Sequence, residues 1–123
     1  MLLKLDFSTD VPIYMQIRNQ VVMGIADGSL SAGEKLPTIR ALAAEAGINM
    51  MTANKAYAML KQEGYIQADR RSGAVICGEI KGTGLIPEKA RQAIKLLIAE
   101  VKLAGVAQEA FIEFCNQAFE ERE

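Results

Sequence analysis

The sequence predicts a mainly α-helical protein with one small β-hairpin, and three observations support this prediction. In residues 36–73, apolar side chains recur at helical spacing on both sides of Gly47, and two short strand-like runs follow. The segment Gly78–Gly84 contains three glycines, which is typical of a linker. Helical spacing then resumes in the last part of the chain. Two domains are therefore expected, at residues 1–80 and 81–123.

An extended segment and one helix are predicted first. Residues 1–11 alternate apolar and polar side chains, which is typical of extended backbone. Pro12 suits the first turn of the helix, and Asp10 is expected to cap it. Gly28 ends this helix, and Arg18 is expected to be solvated on its surface. The apolar stripe of the helix consists of Tyr14, Ile17, Val21 and Ile25.

Two helices joined by a short turn are predicted next. The hydroxyl of Thr38 can accept from the free N–H groups of the first helix, and Asn49 can cap the second helix in the same way. Gly47 and Gly64 end the two helices, because a left-handed backbone costs glycine little. The buried faces are expected to consist of Leu42, Ala43, Ala46, Ala53, Ala56, Tyr57 and Leu60. This arrangement is a helix-turn-helix.

A β-hairpin is predicted after the second helix. Its strands are Tyr65–Ala68 and Ala74–Cys77, and Asp69–Gly73 forms the turn, since a short loop that includes glycine suits a hairpin. Arg70 and Arg71 lie at its tip. The hairpin is the wing of a winged helix-turn-helix.

The second domain is predicted to be a pair of helices separated by Gly105. The first runs from Pro87 to about Ala104, with Glu88 favourable near its positive end. Its apolar residues form two opposed stripes, one with Ala90, Ile94, Leu97, Ile98 and Val101 and the other with Leu96, Ala99 and Leu103. The last helix carries Ala107, Ala110, Phe111, Phe114, Cys115 and Ala118.

Two short helices cannot cover both stripes by packing on each other, so a partner surface is expected. The simplest partner is the same tail of a second subunit, which makes this a dimerisation tail. The alternative is that the extra stripe packs on the chain's own winged domain. The predicted dimer interface consists of Ile94, Leu96, Leu97, Ile98, Leu103, Phe111 and Phe114.

Several common kinds of active site are missing from the sequence. It contains no histidine, which removes the commonest general base and metal ligand. It has no phosphate-binding glycine loop and no Gly-x-Ser-x-Gly motif, and Cys77 and Cys115 belong to no paired-thiol motif. We therefore expect no enzyme activity, no cofactor and no metal site. No stretch of about 18 apolar residues occurs, so a cytoplasmic protein is expected.

The placement of charge, and not its amount, suggests nucleic acid as the partner. The formal net charge is −1, which gives no basic field over the whole chain. Between Leu36 and Gly73 there is a local excess of two positive charges. The basic residues there are Arg40, Lys55, Lys61, Arg70 and Arg71, and the acidic residues are Glu45, Glu63 and Asp69.

The helix-turn-helix also carries a motif that resembles the GntR family of bacterial transcriptional regulators. The matching positions are Gly33, Leu36, Pro37, Thr38, Arg40, Leu42, Ala43, Gly47, Thr52, Ala56, Tyr57, Leu60, Glu63, Gly64 and Tyr65. The resemblance covers roughly residues 10–77, and the short tail resembles the YtrA-type branch of that family. It implies a sequence-specific regulator, by default a repressor, that binds a palindromic operator as a homodimer. It also implies that Arg40 contacts DNA.

The second helix of a helix-turn-helix enters the major groove of double-stranded DNA with its N-terminal residues near base edges. Asparagine can pair with adenine through two hydrogen bonds, threonine can bond a base or a phosphate, and Lys55 suits a phosphate. The wing arginines can lie along the backbone or enter the minor groove. The predicted DNA-binding residues are Thr38, Arg40, Asn49, Met50, Met51, Thr52, Asn54, Lys55, Arg70, Arg71, Ser72 and Gly73.

Two positions depart from the family pattern. Many members carry a guanine-reading arginine where this chain has Met50, and methionine can make only apolar contacts, for instance with a thymine methyl. A more A·T-rich operator or weaker binding is expected to follow. In the wing, the family often shows Gly-x-Gly, whereas this chain retains only Gly73.

Two other functions are compatible with the sequence. One is a small-molecule sensor with an apolar cleft at the dimer interface, lined by tail residues such as Phe111 and Phe114, which would bind an unknown effector. The other is a winged-helix protein-interaction module with weak DNA binding, in which Met50 and Met51 form an apolar patch for another protein. Salt-dependent DNA binding separates this module from a regulator, and a ligand-induced melting shift supports the sensor.

Overall fold

The computed structural model describes residues 3–69, 73–80 and 82–121. In these residues the elements are α1 (Ile13–Asp27), β1 (Lys35–Leu36), α2 (Ile39–Ala46), α3 (Met50–Gln62), β2 (Ile66–Asp69), β3 (Gly73–Ile76), α4 (Glu88–Leu103) and α5 (Gln108–Glu120). The chain divides after Ile80 into a first unit, which contains α1 to β3, and a second unit, which contains α4 and α5. The mainly helical fold with a winged helix-turn-helix is thus as predicted.

The core of the first unit lies between α1, α2, α3 and the sheet. Helix α1 contributes Ile17 and Val21, which are fully buried in the middle of its predicted stripe, while Tyr14 and Ile25 are half-buried at its ends. The other buried core residues are Leu30, Leu36, Leu42, Ala43, Ala53, Ala56, Tyr57, Leu60, Ile66, Ala74 and Ile76. The four predicted core positions of α3 are all buried, so this helix is held from behind by its apolar face.

The helix ends follow the local sequence. Thr38 caps α2 by accepting from the backbone N–H of Ala41 at 3.1 Å. Gly28 and Gly47 end α1 and α2 with φ angles of 87° and 68°, in the left-handed region that favours glycine. The predicted cap of α1 is wrong. Pro12 is the N-cap residue, no side chain caps the helix, and Asp10 takes no part.

The extended segment before α1 is fixed by two glutamine side chains of that helix. Gln20 accepts from the N–H of Lys4 at 2.9 Å and donates to its carbonyl at 2.7 Å. Gln16 forms the same pair of bonds with the backbone of Asp6, each 2.8 Å long. The two side-chain amides therefore satisfy the backbone N–H and C=O groups of the segment as a neighbouring strand would. Leu5, between the two bonded residues, packs against the core.

The sheet has one strand more than predicted. Its order is β1-β3-β2, and both pairings are antiparallel. Leu36 pairs with Ala74 in the first of these pairings, and Ala74 also faces Ala68 in the predicted hairpin. The sequence interpretation treated the segment that includes Lys35 as a connector, because a two-residue strand has no recognisable alternation.

The second unit consists of the two predicted helices. Helix α4 has Pro87 at its N-cap and ends at Leu103, and Gly105 has a φ of 81° in the turn that follows. Neither α4 nor α5 has a buried residue within this unit. In the part of the chain that the structure describes, no helix is long and apolar enough to cross a membrane.

Candidate nucleic-acid interface

The segment Pro37–Thr38 is the junction at which the winged helix-turn-helix is assembled. The hydroxyl of Tyr57, on α3, donates to the carbonyl of Pro37 at 2.7 Å. A Cβ placed on Gly73, at the start of β3, would lie 3.9 Å from the Cα and Cγ2 atoms of Thr38. Because Thr38 also caps α2, this short segment fixes both helices and the base of the wing relative to one another.

The Tyr57 hydroxyl acts as a donor at neutral pH. Its side chain is 1% exposed. Burial raises the pKa of the phenol to about 12, and the negative charge of Glu45 contributes in the same direction. The phenol therefore stays protonated, and the bond to Pro37 holds α3 in place under physiological conditions.

The start of α3 is held by its own cap. The Oδ1 atom of Asn49 accepts from the N–H groups of Met51 and Thr52 at 2.7 and 3.2 Å. A bidentate pair with adenine requires both the oxygen and the amino group of an asparagine. Since the Asn49 oxygen is used in the cap, that pairing is better suited to Asn54, whose side chain is exposed.

Most side chains predicted to contact DNA point away from the core. Met50 is 49% exposed and Met51 is 79% exposed, although both are large apolar residues. Arg40, at the start of α2, is exposed as well, whereas Thr52 is half-buried. The structure therefore presents a row of outward side chains at the beginning of α3 and an outward arginine at the start of α2.

Lys55 has a partner that sequence reasoning missed. Its ammonium lies 4.1 Å from the centroid of the Tyr14 ring, which belongs to α1. This is within the range of a cation–π interaction. Tyr14 was interpreted only as part of the apolar stripe of α1, because no local pattern links it to a residue so far along the chain.

Arg18 is not a solvated charge, contrary to the sequence interpretation. Its guanidinium donates from Nε to Oε1 of Glu63 at 3.0 Å and from Nη2 to Oε2 at 2.5 Å. The hydrogen bond to Glu63 raises the pKa of Arg18 further above its usual range. This forked pair joins α1 to the C-terminal end of α3, so that end of the helix is held from behind.

The tip of the wing contains Arg70, Arg71 and Ser72, which lie outside the described residues. Gly73 is described, is exposed, and has a φ of 85° at the first position of β3. A side chain at this position would be strained by the backbone, so the glycine is required by the hairpin itself. Its neighbour Ala74 pairs with Leu36, two residues before Thr38, so the base of the wing lies near the start of α2.

The predicted dimerisation residues are mostly exposed in the second unit. Leu96 and Leu103, on the second predicted stripe of α4, are 64% and 89% exposed. Phe114 is also exposed, while Phe111 is half-buried. The two helices enclose a groove of about 720 Å³, lined by Ile98, Val101, Lys102, Gly105, Val106, Gln108, Phe111 and Ile112. Phe111 thus lines the groove, and Phe114 does not.

Comparison with known proteins agrees with the winged helix-turn-helix fold. The family model described as bacterial regulatory proteins, gntR family, matches residues 13–76. The transcriptional repressor YtrA of Bacillus subtilis is 33% identical over 94% of this chain and 91% of its own length. Among solved structures, YtrA of Sulfolobus acidocaldarius, a GntR-family transcription factor, is 33% identical over 96% of this chain and 97% of its own, with a TM-score of 0.61.

A second solved structure is similar in fold. It is described as a transcriptional antiterminator from Listeria monocytogenes, and it is 26% identical to this chain. The match covers 95% of this chain and 89% of the Listeria chain, with a TM-score of 0.81. The similarity therefore extends through the tail as well as the winged helix-turn-helix.

Proposed function

The chain belongs to the GntR family of bacterial regulatory proteins, a family of DNA-binding transcriptional regulators, and we propose that it is a repressor that binds a roughly palindromic operator as a homodimer. Repression is supported by the name of the Bacillus subtilis relative, which is a transcriptional repressor. The family is described as one of bacterial regulatory proteins.

The observation that carries the proposed mode of DNA binding is the row of exposed residues at the capped start of α3. In a helix-turn-helix this end of the second helix enters the major groove. In this proposal Asn54 pairs with an adenine and Met50 contacts a thymine methyl. Arg40, on α2, contacts the backbone beside them. Together these residues favour an operator rich in A·T pairs.

The wing supplies the remaining contacts. The base of the wing is tied to the residues just before α2, because Leu36 of β1 pairs with Ala74 of β3. We place Arg70 and Arg71 on the DNA backbone or in an adjacent minor groove, where a narrow A·T tract concentrates negative potential. Ser72 is close enough in sequence to bond the same phosphates.

Dimerisation is supported by the apolar surface of the second unit. Large exposed apolar side chains on its two helices are Ile94, Leu96, Leu97, Ile98, Leu103, Ile112, Phe114 and Phe119. Burying a leucine fully is worth about 1.5–3 kcal/mol, so the association of two tails gains several such contributions. Soluble monomers rarely expose large contiguous apolar patches. Two subunits would also present two winged domains to the two half-sites of a palindrome.

The groove between α4 and α5 favours a second candidate function, the binding of an apolar effector. Its volume and its apolar lining, including Phe111, are typical of ligand sites. The same groove can instead be filled by side chains of a second tail. An effector should raise the melting temperature of the dimer and change its operator affinity. A compound that does neither is not the effector.

The proposed function is tested by selecting bound sequences from a random pool of double-stranded DNA with the full chain. We expect enrichment of an inverted repeat with A·T-rich half-sites. Affinity for the selected sequence should fall steeply with salt, since phosphate contacts release counterions. Enrichment of no sequence, or of a single half-site without symmetry, would contradict the proposal.

A further inference from the structure

We propose that Tyr14 is a positioning residue for operator binding, because its ring holds the Lys55 ammonium at the flank of α3 where that ammonium binds a DNA phosphate. The inference rests on the proposed function, and it adds a role for α1. That helix is otherwise only the support on which α3 packs.

The contact itself is the first step of the argument. The Lys55 Nζ atom lies 4.1 Å from the centroid of the Tyr14 ring. A cation over the face of an aromatic ring is attracted by the ring's negative face, and this attraction persists at exposed sites. Among the described residues, Arg18 forms an ion pair with Glu63, and Lys55 forms no ion pair. The ring is therefore what orients this ammonium in the free protein.

The position of Lys55 on α3 indicates a phosphate rather than a base. Successive residues of a helix are turned by about 100° around its axis, so Lys55 lies on the side of Met51, away from Met50 and Asn54, at the flank of the exposed row. It is turned towards α1, where it meets Tyr14. A lysine ammonium is a compact point charge, which suits a phosphate oxygen and carries little base selectivity.

Holding the lysine in advance should strengthen DNA binding. The side chain has a flexible four-carbon stem, and fixing it on binding costs conformational entropy. The ring already restricts the lysine side chain in the free protein, so less conformational entropy is lost on DNA binding. The N–H groups that point away from the ring stay available to a phosphate oxygen. The ring needs only its π face for this purpose, so the Tyr14 hydroxyl is dispensable.

The test is a double-mutant cycle with the full chain and the selected operator. Tyr14→Leu should raise the Kd about two- to fivefold for each half-site, and so about four- to twenty-five-fold for an operator with two. Tyr14→Phe, the matched control, should leave the Kd unchanged. Lys55→Ala should flatten the salt dependence by about two units, one for each half-site. In the Lys55→Ala background, Tyr14→Leu should have no further effect.

The cycle separates a positioning role of Tyr14 from a purely structural one. If Tyr14→Leu weakens binding equally with and without Lys55, its role is only structural and the proposal is overturned. If wild type binds the operator but Tyr14→Leu changes nothing, this inference fails while the proposed function stands. If wild type shows no salt-dependent operator binding, both fail.

A second measurement does not require the Tyr14→Leu variant to fold. In the wild-type protein, the ring current of Tyr14 should shift the Lys55 ε-methylene protons upfield in the NMR spectrum. That shift should persist when the operator is bound, because ring and phosphate hold the ammonium at the same time. Loss of the shift on DNA binding would overturn the proposal.

Discussion

The Tyr57 hydroxyl donates to the carbonyl of Pro37 across 2.7 Å, and this bond ties α3 to the residues that begin α2. The bond is partly buried, and a buried hydroxyl or carbonyl is costly to leave unpaired. The pair therefore sets the position of the exposed row on α3 relative to Arg40. The orientation of the side chains proposed to face DNA therefore depends on a contact made behind them.

Replacing Tyr57 with phenylalanine should lower the free energy of unfolding by about 1–3 kcal/mol, because the Pro37 carbonyl loses its partner. Chemical denaturation followed by circular dichroism measures this change. Tyr65→Phe, which removes a hydroxyl from a half-buried ring, is the control and should change stability by less than about 0.5 kcal/mol. Equal losses in the two variants would contradict the role assigned to the bond.

The same tyrosine predicts how stability changes at alkaline pH. The pKa of Tyr57 is raised to about 12 in the folded chain, while an unfolded tyrosine has a pKa of about 10. The folded state therefore binds the proton more tightly, and this stabilisation is complete below about pH 10 and is lost as the pH rises through about 12. Unfolding free energies from pH 9 to 12 should fall more steeply in wild type than in Tyr57→Phe. Parallel profiles would contradict the burial of a protonated phenol.

Arg40→Ala should weaken operator binding without unfolding the protein, because the side chain is exposed and its proposed partner is a phosphate. The salt dependence of binding should flatten by about one unit for each half-site. Fluorescence anisotropy at several salt concentrations measures both quantities. Arg91→Ala removes an equally exposed arginine from α4 and should leave both unchanged. An Arg40→Ala variant with wild-type affinity and slope would remove this residue from the interface.

Met50→Arg should shift base preference towards guanine at one position in each half-site, by roughly 1–3 kcal/mol. Met50 is half exposed at the first position of α3, so an arginine there can extend into the groove without displacing the core. Repeating the selection from random DNA with the variant shows the change directly. Met59→Arg, at a half-buried position further along α3, is the control and should not acquire the same preference. Unaltered preference for Met50→Arg would mean that the side chain reaches no base.

The parts of the fold that the sequence predicted are those set by local interactions. Thr38 and Asn49 cap helices because their side chains reach backbone groups only a few residues away. Gly47 ends α2 for an equally local reason, its left-handed backbone. The buried face of α3 follows from the spacing of its own residues. Such features need no knowledge of the rest of the chain.

The parts that sequence reasoning missed depend on residues that are distant along the chain. Arg18 and Glu63 come together only when α1 packs beside α3, so the local sequence around neither residue indicates the ion pair. Gln16 and Gln20 bond a backbone segment whose path is set by the core. Strand β1 is too short to show a pattern, and it exists because β3 offers an edge to pair with.

The central claim, a dimer that reads two half-sites, is tested most directly by Leu96→Glu with Leu103→Glu. These two leucines are 64% and 89% exposed in the second unit, and burying each one in a dimer is worth about 1.5–3 kcal/mol. Leu85→Glu places one such charge at a comparably exposed leucine before α4, and it is the matched control.

Sedimentation and operator affinity should be measured on the same preparation of each protein. Wild type and Leu85→Glu should sediment as dimers and bind the operator tightly. The double variant should sediment as a monomer with a folded winged domain, and its operator affinity should fall steeply although every predicted DNA contact is retained. A double variant that remains a dimer would place the interface elsewhere, and a monomeric wild type that binds the operator at full affinity would contradict the account.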